Sequence, residues 1–186
     1  MIHKSYIVEK DVKIIAKYRS VLLYGVNDGI KDDVKSKLKL INKESGVINF
    51  FENEIIKNKN LLYENIINES LFNEKKIIFI QSATDKIFNE ISESLDKKNL
   101  NIKIYIFSDN LDKRSKLRSL YEKEKELGII ACYEDNERTL INYINQELTE
   151  FKGLSGELVN LIISNSNANR KVIQSEITKI KTFFFR

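Results

Sequence analysis

The stretch IKIYIFS, Ile102–Ser108, decides how this chain folds. It is apolar at nearly every position and rich in β-branched and aromatic residues. A half-exposed strand would alternate, so this one reads as a strand buried on both faces. Downstream, DNLDKRSK leads into a helix carrying Leu117, Leu120 and Tyr121, and GIIACY (128–133) reads as another buried strand. Upstream, KIIFI (76–80) precedes a helix capped near Thr84 or Asp85 that buries Ile87, Phe88, Ile91 and Leu95. Further back, VINFF (47–51) reads as a strand followed by a helix from about Asn60 with Leu62, Tyr63, Ile66 and Ile67 in line. SVLLYG (20–25) is a strand stopped by glycine, and the helix after it, residues 29–43, aligns Ile30, Val34, Leu38 and Ile41. A first helix is expected over residues 9–18.

Five buried strands alternating with helices predict an α/β fold with a parallel five-stranded sheet, because parallel neighbours need crossover helices on both faces. After Tyr133 the pattern changes. Residues 138–151 align Leu140, Ile141, Ile144 and Leu148; a helix restarts at Ser155; and a third begins near Asn169 with Val172, Ile173, Ile177 and Ile180. The expected organisation is therefore an α/β domain over 1–136 and a small three-helix domain over 137–186.

Composition excludes several function classes. The chain has 186 residues, a net charge of +4, one cysteine, one histidine and no proline. That charge is too mild to argue for nucleic acid by itself. A single cysteine, Cys132, leaves no disulfide framework or cysteine metal site and suggests a reducing cytoplasm. The start, MIHKSYIVEKDVKII, has no unbroken apolar region, and no run approaches the ~20 residues that span a bilayer. His3 sits where an end would fray, so a histidine triad or zinc site has almost no material. Cys132 reads as a small core filler.

The loop after SVLLY is where a parallel sheet would hold phosphate. A working loop reads GxxxxGK[ST], with backbone amides around the phosphates, Lys neutralising them and a hydroxyl on magnesium. Here the segment is GVNDGIKDD: Gly25 and Gly29 remain, no Lys-Ser or Lys-Thr follows, and Asp28, Asp32 and Asp33 would repel a triphosphate. IIFIQSATD ends without an acidic pair to hold a metal ion. No catalytic residue, cofactor or metal is expected. Two binding signals remain. Lys113, Arg114, Lys116 and Arg118 in LDKRSKLR are either a solvated helix face or a phosphate contact. Leu71 and Phe72, side by side in the polar turn INESLFNEKK, are either a packed turn or an apolar anchor for a partner.

Taken together, these segments resemble the delta subunit of the bacterial DNA polymerase III clamp loader. The likeness is carried in order by VLLYGVNDG, SLFNEKKIIFI, IYIFSDNLDKRSKLRSLYEK and LVNLIISNSNANRKVIQSEITKI. It implies an AAA+-like fold with a degenerate nucleotide site and a non-catalytic role: binding and opening the sliding clamp for loading onto primed DNA. At the level of the complex it implies membership of a DNA-directed DNA polymerase, a nucleotidyltransferase. Implied partners are the clamp (the beta subunit), the gamma/tau and delta prime subunits, and primed DNA through the complex, with no membrane. Leu71 and Phe72 stand at the family's clamp-binding pair. The family carries a third, helical collar domain; this chain stops at Arg186 before it, after an aromatic KTFFFR end, so a fragment of a longer protein is expected. The competing readings are a diverged nucleotide-binding enzyme and a stand-alone DNA-binding module.

Overall fold

The computed structural model describes residues 2–67, 75–97, 99 and 101–184. Among these, six parallel strands form one sheet in the order β1-β6-β2-β5-β4-β3. They are β1 (Ile2–Lys4), β2 (Ser20–Tyr24), β3 (Gly46–Phe51), β4 (Lys76–Gln81), β5 (Ile102–Ser108) and β6 (Leu127–Ala131). The helices on the sheet are α1 (Ser5–Lys10), α2 (Lys13–Ala16), α3 (Asp28–Ile41), α4 (Glu52–Lys57), α5 (Leu61–Ile67), α6 (Phe88–Asp96) and α7 (Lys116–Lys123). The parallel α/β fold read from the sequence is present, with one strand more than expected.

The extra strand is β1, which pairs with β6 at the sheet edge. It corrects the reading of His3 as part of a fraying end. His3 is buried, and its Nε2 lies 2.9 Å from the Tyr18 hydroxyl. Burial, then the charge of Lys17, holds its pKa below the ordinary value. Three residues cannot carry an alternation pattern, and only pairing makes this segment a strand. The helix expected over 9–18 is likewise two short helices, α1 and α2.

Side-chain parity divides the core between the two faces of the sheet. Leu22, Ile78, Ile80, Ile104, Ile106 and Ile129 face α4–α7, packing on Ile55, Leu62, Ile91, Leu117 and Tyr121. Val21, Leu23, Phe79, Tyr105, Phe107 and Ile130 face α1–α3, packing on Val8, Ile15, Ile30, Val34 and Leu38. Because both faces are covered, the central strands are apolar at most positions, on both faces alike. Cys132, immediately beyond β6, is fully buried in the second of these clusters. Burial pushes its thiol up to about 12, so it packs as a protonated apolar group.

Contacts divide the chain into two units, one comprising Met1–Val26 and Ile30–Cys132, the other Asn27–Gly29 and Tyr133–Arg186. The second unit holds α8 (Glu137–Glu147), α9 (Gly156–Asn165) and α10 (Arg170–Phe184) around Leu140, Ile144, Leu148, Val159, Ile173 and Ile177. Each start is capped by a short polar side chain. Asn136 and Thr139 exchange reciprocal bonds at α8, with Thr139 N donating to Asn136 Oδ1 at 3.0 Å. Ser155 Oγ accepts from Leu158 N at α9 (3.2 Å), and Asn169 Oδ1 accepts from Lys171 N ahead of α10 (3.0 Å).

Candidate functional site

The strand order reverses beside β2: the chain leaves β2 for the far edge at β3, returns through β4 to β5, then crosses to β6 on the other side. Ligands of parallel sheets bind outside the carboxyl ends of strands at such a point. Gly25 ends β2 there with φ +129, its N–H donating to Asp109 O at 3.2 Å.

Lys31, in the first turns of α3, fills this position. Its Nζ donates to Gly25 O (2.9 Å) and Ser108 O (3.1 Å), with Asp109 Oδ1 at 3.5 Å. The Asp109 side chain is 90% exposed, so that ion pair adds little, and the two carbonyls are the principal acceptors. Lys31 is obscured in the sequence because the second glycine, Gly29, lies one residue early for the motif. Yet Gly25 to Lys31 is the first-glycine-to-lysine spacing of GxxxxGK, and counting from Gly25 alone would have found it.

The residues present do not fit the nucleotide that the architecture implies. The Lys31 ammonium, at the position where a lysine would neutralise phosphate, is bound by the protein's own carbonyls. A carboxylate, Asp32, follows it where a hydroxyl would hold magnesium, and Asp28 opens the helix whose amides would face the phosphates. A lysine used this way is a strut. Lys31→Met is expected to lower stability by about 1–3 kcal/mol, the cost of leaving buried acceptors without a donor. Urea denaturation would measure it, with Lys113→Met as a surface control within about 0.5 kcal/mol of the parent. An equally silent Lys31→Met would remove the strut.

The basic segment is only partly available. Lys113, Arg114 and Lys116 are exposed. Arg118 is held: its Nε donates to Glu122 Oε1 (2.8 Å), its Nη1 to Leu111 O (3.0 Å), and its guanidinium lies 4.8 Å from the Tyr24 ring centre. The α7 amides that could receive a phosphate are taken by Asp85. Its carboxylate accepts from Lys116 N and Leu117 N, both at 2.9 Å, and from Ser115 Oγ at 2.7 Å. Burial raises the Asp85 pKa, but the bonds from Leu117, Ser115 and Lys116 outweigh it and hold the carboxyl below its ordinary value. Asp85, expected as a cap for the helix that follows it, thus serves another helix 31 positions on. Thr84 Oγ1 takes the local role, accepting from Lys86 N at 3.3 Å.

In the second unit, Asp135 collects three donors. Arg170 Nη1 (2.9 Å) and Thr139 Oγ1 (2.8 Å) donate to Oδ1, and Asn27 Nδ2 (2.7 Å) to Oδ2. The Arg170 guanidinium also lies 3.9 Å from the Tyr143 ring centre, and Gln174 Nε2 donates to Gly29 O at 3.1 Å. Residues 27–29 of the degenerate loop are therefore bonded into the helical unit, which no sequence motif announced. Leu71 and Phe72 lie outside the described residues.

A parallel sheet of this order, with a glycine-stopped first crossover loop and a small helical unit, has the architecture of an AAA+-like domain. Comparison with known proteins narrows the class. The chain is 24% identical over 169 residues to the probable DNA polymerase III subunit delta of Rickettsia prowazekii, covering 90% of this chain and 51% of that protein. The DNA clamp loader delta protein of Bacillus subtilis superposes with a TM-score of 0.71 at 16% identity, across 96% of this chain and 57% of that one. No protein-family model matches. The resemblance to the clamp-loader delta subunit is thus found in sequence and in fold, and the chain spans about half the length of the curated relative it matches.

Proposed function

We propose that this chain is a non-catalytic part of a bacterial clamp loader that binds and opens the sliding clamp through Leu71 and Phe72. The observation that carries the reading is the likeness to delta proteins over nearly the whole chain. The phosphate-loop position supports it, since Lys31 there is bound to Gly25 O and Ser108 O. Other loader subunits and primed DNA are its further partners, and the cytoplasm is its compartment. No described helix is long and apolar enough to cross a membrane.

The mechanism is a population shift. An apolar pair that docks better on a clamp whose interface is distorted pulls the ring toward the open state by its difference in affinity. Burying two such side chains contributes about 3–6 kcal/mol gross, enough to bias an interface.

Leu71→Ala with Phe72→Ala is expected to weaken clamp binding by ~100-fold or more, since ~1.4 kcal/mol is tenfold. Surface plasmon resonance against the clamp would read it, with the melting temperature unchanged. Unaltered affinity, or a large fall in melting temperature showing that the pair packs inside, would overturn the proposal. Saturable ATP binding with magnesium-dependent hydrolysis would favour the enzyme instead.

A further inference from the structure

On the sheet face covered by α1–α3, the cover thins toward the β3 edge. The buried cluster on that face takes no side chain from β3. Register sets Val47 beside Ile77, Asn49 beside Phe79 and Phe51 beside Gln81. All three β3 residues are exposed, Phe51 by 55%.

Lysines border this strip. Lys35 and Lys39 lie one four-residue step apart on α3, about 6 Å along its axis. Their ammonium groups stand 5.3 and 5.8 Å from the Phe79 ring centre, and Lys35 also lies 5.9 Å from that of Phe107. Lys103 is registered beside Ile77 on the same face and donates to Ala16 O. Lys75 immediately precedes β4, its carbonyl accepting from Gly46 N at 2.9 Å. Burial, then Lys39, lowers the Lys35 pKa, with Asp32 acting the other way; burial, then Lys75, lowers that of Lys103. Like charges are thus gathered on one flank at an electrostatic cost that a bound polyanion would relieve.

We propose that this flank binds single-stranded nucleic acid, with phosphates on Lys35, Lys39 and Lys75 and a base stacked on Phe51. A row of cations beside an aromatic on an open sheet surface is the arrangement that holds single strands without sequence preference. An acidic protein segment is the less suited partner. Its carboxylates favour planar, bidentate guanidinium, and the cations bordering this strip are lysines, compact point charges that suit phosphate. The inference stands apart from the clamp reading and uses none of its residues.

The test is fluorescence anisotropy of a labelled oligo-dT with the whole chain across a salt series. Lys35→Gln with Lys39→Gln is expected to weaken binding about tenfold and to flatten the log–log salt slope by about 1.4, at ~0.7 per single-strand phosphate contact. Phe51→Ala is expected to weaken binding about tenfold with the slope unchanged, and it keeps the test alive should the lysine pair fail to fold. Lys113→Gln with Arg114→Gln should leave affinity within about twofold. No binding at low salt, an unchanged slope in the Lys35/Lys39 variant, or loss through Lys113 and Arg114 would overturn the proposal. So would displacement by polyglutamate as effective as by unlabelled oligo-dT, which would assign the flank to an acidic protein.

Discussion

Gly25→Ala is expected to destabilise the sheet unit by at least ~3 kcal/mol, a fall in melting temperature of about 6–12 °C at this chain length. Two independent costs meet there. The backbone sits at φ +129, which residues bearing a Cβ rarely adopt, and an added Cβ would lie 2.2 Å from the carbonyl oxygen of Cys132. That oxygen belongs to backbone held in place by a 2.7 Å bond from Cys132 N to Tyr24 O, so it cannot swing aside as a flexible side chain would. Two other glycines separate the costs. Gly153 has φ +90 with nothing within 4 Å of an added Cβ, so alanine there carries the conformational strain alone, about 1 kcal/mol. Gly156 opens α9 with open space and an ordinary φ, so alanine should be neutral or slightly stabilising. Thermal melts of the three variants give the comparison. A Gly25→Ala protein no less stable than Gly153→Ala would show that the loop moves away from Cys132.

The second large effect is expected at Asp135. Its pair with Arg170 is buried, with side-chain exposures of 7% and 5%. Burial pulls the Arg170 pKa down to about 10, which still leaves the guanidinium charged at neutral pH. Asp135→Ala removes its carboxylate partner and should cost about 3–5 kcal/mol, the usual penalty for leaving one member of a buried pair. Adding Arg170→Met removes the stranded charge and should recover a good part of that loss, because an apolar replacement of both partners is commonly close to neutral. A double-mutant cycle by chemical denaturation measures the coupling. If Asp135→Ala alone cost under ~1 kcal/mol, the pair with Arg170 would be a bystander, and so would the bonds from Asn27 and Thr139 to the same carboxylate.

How much of this was readable beforehand follows from the range of each interaction. The central strands announced themselves because residues buried on both faces must be apolar at consecutive positions, and IKIYIFS shows that directly. The helix starts at Ser155 and near Asn169 were readable because a cap and the amides it serves lie within three residues. The short β1 and α4 were missed, since neither is long enough for a period to show. Lys31 was missed through a one-residue offset of the neighbouring glycine, although its distance from Gly25 was in plain view.

Leu71 and Phe72 stand out in the sequence because two large apolar residues among polar neighbours call for a covering surface, whether their own core or a partner's. The sequence by itself therefore determined the layer architecture, the run of helices after Tyr133 and the positions worth testing. All of these follow from local burial patterns. Only the tertiary structure decided that Lys31 turns to carbonyls, that Asp85 caps a helix 31 residues on and that Asp135 holds Arg170 across 35. A charged side chain is drawn to whichever opposite dipole the folded chain brings near, and separation along the sequence carries no trace of that choice.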